Sequence, residues 1–293
     1  MNGKPLNSAL VAQAYKQACM VELQAIKPGN VHVFADGHGM TVQDFIKSAD
    51  ATAAVIAQAD LTVGERILLA VKATQSSVAM NTNLGVILLC APLIHAALMP
   101  STQLDLSAKL AKVLNDLSIE DGALTAQAIL LAKPAGLGKV ALHDVQEPVA
   151  VNLKCMMASA ADKDCIAWQY AHDYQGIFDF GLRCFLSAKH TWQERAKYDS
   201  EAWAATAVYL AFLAHYPDSH IARKHGMAVA QAIRLEAQTM QADYAKIGNP
   251  KLMQKPLLAW DASLKERQIN PGTSADLTVA TLLACRLQQL SVP

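Results

Sequence analysis

The sequence predicts an all-α fold, and three observations lead there. Apolar residues recur at a helical period almost everywhere, alanine is abundant throughout, and no stretch alternates with β-branched residues as a half-buried strand would. The first helix is expected over 5–25, where Leu6, Leu10, Ala14 and Val21 lie near a 3.6-residue period. A second is expected over 41–59. It opens on a Thr41 cap with Asp44 three residues on, a weaker partner than the Glu or Gln of a full capping box. Further helices are expected over 63–78, 83–98, 107–115, 121–132, 148–160, 163–187, 199–215, 218–244, 250–265 and 274–290. The longest apolar run, Leu84 to Met99, falls short of the ~20 residues of a membrane span. Pro92 and His95 interrupt it, so it reads as a buried helix. No repeat or low-complexity linker divides the chain, and one domain of about 12 helices is expected.

Composition narrows the function. Apolar residues make up 53% and charged residues 17%, with 25 Lys+Arg against 25 Asp+Glu. A disordered chain needs the reverse balance, and a non-specific nucleic-acid binder needs a basic excess. Lys16 stands where a signal peptide would have its apolar centre, so a cytoplasmic protein is expected. The six cysteines form no C-x-x-C pair, which argues against zinc and thioredoxin-like chemistry and for buried structural thiols. An apolar helix face leaves a homodimer open.

Polar residues concentrate in six loops: 26–40, 80–85, 133–148, 172–183, 215–226 and 269–276. Lys27-Pro28-Gly29-Asn30 ends a helix, as proline, glycine and a lysine near the negative end of the dipole should. A stop signal does not need His32, Asp36 and His38, which follow in the same loop. Asn81-Thr82-Asn83 precede an apolar helix, where one cap would suffice and free amides could take an anion. Pro134-Ala135-Gly136-Leu137-Gly138-Lys139 fails as a phosphate loop: Lys133 stands where the first glycine belongs and Val140 where Ser or Thr belongs. In Asp218-Ser219-His220-Ile221-Ala222-Arg223-Lys224-His225-Gly226, Asp218 suits a cap and Arg223 suits phosphate. His215, His220 and His225 are five apart and cannot share a helix face. In Asn270-Pro271-Gly272-Thr273-Ser274-Ala275-Asp276, Thr273 or Ser274 is expected to cap the last helix, with Asp276 in its first turn.

Together, KPGNVH with GHGM, NTNLG, DSHIARKHG and NPGTSADL resemble the triphosphoribosyl-dephospho-CoA synthase family in identity and order, over about residues 20–290. The resemblance implies an all-helical enzyme. It would move the triphosphoribosyl group of ATP to the ribose 2′-hydroxyl of 3′-dephospho-CoA and release adenine. It also implies site roles. Lys27, Gly29, Asn30, His32, Asn81, Thr82, Asn83, Arg223, Gly272, Thr273 and Ser274 would bind ATP or its phosphates. His38, Asp36 and Asp218 would be catalytic, and Asp218 and Asp276 would hold magnesium. Against the citrate-lyase members, His32 stands where their first aspartate falls, and Gly37-His38-Gly39-Met40 lacks their second. Asn83 and Leu84 replace the His and Lys of NTHKG. The alternatives are a related transferase in tetrahydromethanopterin or methanofuran synthesis, a non-catalytic nucleotide-binding protein, and an N-ribosyl hydrolase.

Overall fold

A computed structural model describes residues 6–100, 104–134, 149–193 and 200–291. Among them run fourteen α-helices: α1 (Ser8–Gln24), α2 (Val42–Ile56), α3 (Val63–Val78), α4 (Leu84–Leu98), α5 (Leu106–Asn115), α6 (Ile119–Ala132), α7 (Leu153–Ala158), α8 (Cys165–Ala171), α9 (Leu182–Trp192), α10 (Ser200–His215), α11 (Ser219–His225), α12 (Met227–Lys246), α13 (Gln254–Glu266) and α14 (Gly272–Ser291). A π-helical segment (Gly176–Gly181) precedes α9 and a 3₁₀ turn (Pro250–Met253) precedes α13. The described residues contain no strand, only two isolated backbone bridges in the 32–40 loop.

The helix starts follow the local chemistry. Thr41 and Asp44 complete the capping box at α2 despite the shorter acidic side chain, and Thr62–Glu65 and Ser118–Asp121 do the same at α3 and α6. The expected runs 163–187 and 218–244 each split. Asp173 and Tyr174 take positive φ (49° and 61°), which ends α8 and turns the chain into the π segment. Gly226, at φ 90°, separates α11 from α12, a backbone state that an L side chain would strain. These breaks raise the helix count above the twelve expected. They leave α11 as a short helix of its own, set between Asp218 and Gly226.

α4, α10 and α14 form the centre and are buried on almost every face. Each buried Leu or Ile there contributes roughly 1.5–3 kcal/mol. Pro92 lies inside α4 without ending it. Its ring removes the amide that Leu88 O would accept, and the fully buried Tyr170 hydroxyl donates to that oxygen at 2.6 Å. Tyr174 serves Leu89 O one residue on, at 3.2 Å. No helix among the described residues is long and apolar enough to cross a membrane.

Candidate active site

The helix ends converge around one cavity of about 710 Å³. That lies within the roughly 300–1,000 Å³ that holds a small ligand. One wall is apolar, with Phe45, Leu84, Ile129, Met156, Met157 and Val279. The other carries the polar residues of four loops distant in sequence.

The Lys27–Asn30 loop supplies the back of the polar wall. Lys27 is fully buried and pairs with Glu22 at the end of α1. Its Nζ also donates to Asn30 Oδ1 at 2.9 Å, and Asn30 Nδ2 donates to Asn270 Oδ1 at 2.8 Å. Burial lowers the Lys27 ammonium from its ordinary value, and Glu22 works against that. Burial likewise raises Glu22, opposed by Lys27. Gly29 has φ 85°, and its amide donates to Asp261 Oδ1 at 2.8 Å. A Cβ there would stand 2.8 Å from Pro271 Cδ and 2.9 Å from Ile269 O, so only glycine lets the two Pro-Gly loops pack together. His32 is buried with Nε2 3.5 Å from Asp261 Oδ2. Burial alone would raise Asp261, but His32, Lys265 and the Gly29 amide together hold it below the ordinary carboxylate value.

His38 lines the cavity and reaches back. Its Nε2 donates to Gly29 O at 2.7 Å, which leaves Nδ1 buried without a hydrogen-bond partner. Asp36, one turn away, faces outward and accepts the Val42 amide at 2.8 Å at the start of α2. Asn81, Thr82 and Asn83 all line the cavity. Their bonds diverge: Asn81 accepts the Leu84 amide, Thr82 shares a hydrogen bond with Ser48, and Asn83 accepts from Thr74.

The 218–224 and 270–276 loops meet through Asp218. Its buried carboxylate caps α11, accepting the His220 and Ile221 amides on Oδ1. Oδ2 accepts the amide and hydroxyl of Ser274, both at 2.8 Å. Asp218 therefore caps α11 and clamps the first turn of α14. Thr273 and Ser274 lie inside α14 rather than capping it, and Asp276 falls past its first turn. With two helix starts on one carboxylate, His220, Arg223 and Lys224 are presented to the cavity. Arg223 pairs with Asp164, which also lines it. His38 and His220 are each lowered, first by burial and then by the cations around them, Lys224 among them.

Asp276 differs from Asp218. Among the described residues no donor or cation is bonded to its carboxyl. Burial, reinforced by the charges of Glu22 and Asp218, pushes it well above the ordinary value. The carboxyl lies so close to the start of α4 that a Cβ at Gly85 would collide with it. Among the described residues no group of three or more His, Cys, Asp or Glu is placed to hold a metal with protein ligands alone, and of the two carboxyls expected to hold magnesium Asp276 lines the cavity whereas Asp218 lies behind its wall.

Of the residues expected from sequence, Asn30, His38, Asn81, Thr82 and Asn83 line the cavity, as do Arg223, Gly272 and Asp276. Lys27, Gly29, His32, Asp218, Thr273 and Ser274 stand behind the wall and hold it, and Asp36 points away. Sequence reasoning missed Glu22, which sits in an ordinary amphipathic helix with no local signal. It also missed Lys163, Asp164, His220 and Lys224 as wall residues. The Gly136–Lys139 motif lies outside the described residues.

Residues 8–292 match the family model described as CitG, ATP:dephospho-CoA triphosphoribosyl transferase. The chain belongs to that family and is a transferase. Among solved structures it is similar to a crystal structure from Archaeoglobus fulgidus, provisionally assigned as a triphosphoribosyl-dephospho-CoA synthase. The two are 21% identical with a TM-score of 0.62, over 83% of this chain and 97% of that one, a likeness that shows the fold. No curated protein matches. Family membership does not favour the one-carbon coenzyme and non-catalytic alternatives.

Proposed function

We propose that the cavity binds ATP with its triphosphate on the cationic corner and holds an acceptor hydroxyl, that of dephospho-CoA, beside the ribose C1′. The observation that carries this reading is the convergence of four separate loops on one cavity with both chemistries it needs. Arg223, Lys224 and Lys163 supply charge, and Arg223 can grip phosphate oxygens bidentately. Burial and neighbouring cations hold His38 and His220 below the ordinary histidine value, and a bound polyanion would act on both in the opposite direction. Phe45, Met156 and Met157 offer apolar surface to the adenine ring. Asn30, Asn81 and Asn83 offer amides to the ribose hydroxyls. Magnesium enters on the triphosphate, its common mode with phosphate substrates. The chain's contribution is to align donor and acceptor and to stabilise phosphate charge.

The test is adenine release from ATP, magnesium and dephospho-CoA, with calorimetry of ATP binding alongside. Adenine formed only when the acceptor is present supports the reading. Adenine formed without it would make the protein a hydrolase, and an absence of ATP binding would overturn the assignment of the cavity.

A further inference from the structure

The 27–40 loop carries two residues into the cavity wall, Asn30 and His38. Its own backbone gives little to fix them there. The loop's internal pairing is two isolated bridges, His32–Ala35 and Gly37–Met40. Gly29, His38 and Gly39 sit at positive φ (85°, 56° and 74°). His38 is not a glycine, and a side chain in that region persists only where the surroundings hold it.

The ties come from α13. Asp261 and Lys265 are four residues apart and share one face of that helix. Asp261 is buried, and its Oδ1 accepts the Gly29 amide at 2.8 Å. Its Oδ2 accepts from Lys265 Nζ at 3.0 Å and lies 3.5 Å from His32 Nε2. Lys265 Nζ also donates to Ala35 O at 3.0 Å. The Lys265 stem crosses Gly37, where a Cβ would stand 2.9 Å from Lys265 Cε. The pair therefore meets the loop at Gly29, His32, Ala35 and Gly37. Asn30 follows the first of these and His38 the last. His38 Nε2 closes the loop on itself through Gly29 O, at 2.7 Å. From α10, Tyr209 donates to Pro28 O at 2.6 Å, so both ends of the Pro28–Gly29 peptide are bonded. Neither Asp261 nor Lys265 lines the cavity.

Resting on the transferase reading above, we propose that Asp261 is a positioning residue for the transfer, with Lys265 as its partner. Through the Gly29 amide and the Ala35 carbonyl, the pair sets where Asn30 and His38 stand against the bound nucleotide. The cations assigned to the triphosphate, Lys163, Arg223 and Lys224, come from other segments. The α13 pair therefore acts on alignment and not on phosphate affinity. Misplacing an aligned group by about 1 Å costs roughly 10²-fold in rate.

The experiment measures adenine release from ATP, magnesium and dephospho-CoA at equal concentrations of folded protein. Asp261→Ala removes the acceptor for Gly29 and the partner of Lys265. It is expected to lower kcat by about 10²-fold. KM for ATP should stay within about threefold, since the phosphate contacts are kept. Asp261→Asn retains an oxygen for the Gly29 amide and should recover most of the lost kcat. A raised KM with unchanged kcat, or equal loss of kcat in the two variants, overturns the proposal.

The His38 imidazole signals give a readout without turnover. Assigned by their absence in His38→Gln, they should move in Asp261→Ala and return toward their wild-type positions in Asp261→Asn. An Asp261 that only stabilises the fold would leave them in place, and that outcome overturns the proposal. If Asp261→Ala does not fold, Lys265→Met decides: wild-type kcat with unmoved His38 signals overturns the proposal, and lowered kcat with moved signals supports it. A wild-type protein that neither binds ATP nor releases adenine overturns the transferase reading instead, and the His38 signals still decide the placement of the loop.

Discussion

Two layers of the same polar wall contain the same residue types and use them in opposite ways. In the inner layer, Lys27, Asp218 and Asp261 have their bonding capacity taken up by the protein: Lys27 by Glu22 and Asn30, Asp218 by four donors, Asp261 by Gly29, Lys265 and the nearby His32. In the outer layer, Lys224, His220 and Asp276 line the cavity with side-chain donors or acceptors that no described residue takes up, and among the described residues Arg223 is tied only to Asp164. A signature motif therefore need not face the cavity. The inner layer positions loops, and binding capacity is left on the residues those loops carry. A buried polar group without a partner is costly, so such groups persist on the inner layer only when satisfied.

Breaking the inner layer should cost stability first. Lys27→Met leaves Glu22 buried without its cation, and we expect a loss of about 3–5 kcal/mol in urea unfolding. The double variant Lys27→Met/Glu22→Gln should recover most of it. Equal destabilisation of the two variants would mean that the pair is not the cause. Asp218→Ala removes a helix cap and strands buried donors at the starts of α11 and α14. An expected loss of about 2–4 kcal/mol follows, measurable by the same titration, with ATP affinity falling because Arg223 and Gly272 lose their common anchor.

The outer layer should show the reverse pattern. Arg223→Ala breaks a partly exposed ion pair and should change stability by less than about 1 kcal/mol. The same change should weaken ATP binding by about 10–100-fold, as expected of a charged hydrogen bond. Calorimetry showing wild-type affinity would take the cationic corner out of the site.

The smallest effect separates the layers by the sign of their pH response. Asp261 is held below 3.8 in the folded protein. The stability it contributes is present above that value and lost as pH falls through the folded one. Asp261→Asn should therefore flatten the acid side of the stability profile below about pH 4. Asp276 has the opposite shift and the opposite slope. Parallel profiles for Asp261→Asn and Asp276→Asn would erase the distinction between the layers.

The helices were legible because period, caps and alanine content are local. Thr41 and Asp44 are read from adjacent residues, and the structure completes their capping box. The split at Gly226 was less so: glycine there permits a positive φ, but only packing of the short α11 against the start of α14 uses it. The wall residues divide in the same manner. Arg223 was legible from its dense polar loop. Glu22 was not, because its partner, Lys27, is the residue that the motif itself draws attention to. Asp218 and Asp276 both stood out, yet nothing local tells a carboxylate with four donors from one with none.

By itself the sequence determined an all-α chain with balanced charge, where its polar loops lie, and the family to which those loops point. These follow from periodicity and from residue identity along the chain. Tertiary structure decided which polar residues are spent on architecture and which face the cavity. Hydrogen-bond satisfaction and desolvation depend on neighbours hundreds of residues away, such as Gly29 against Asp261 and Asn30 against Asn270, and no local pattern encodes them.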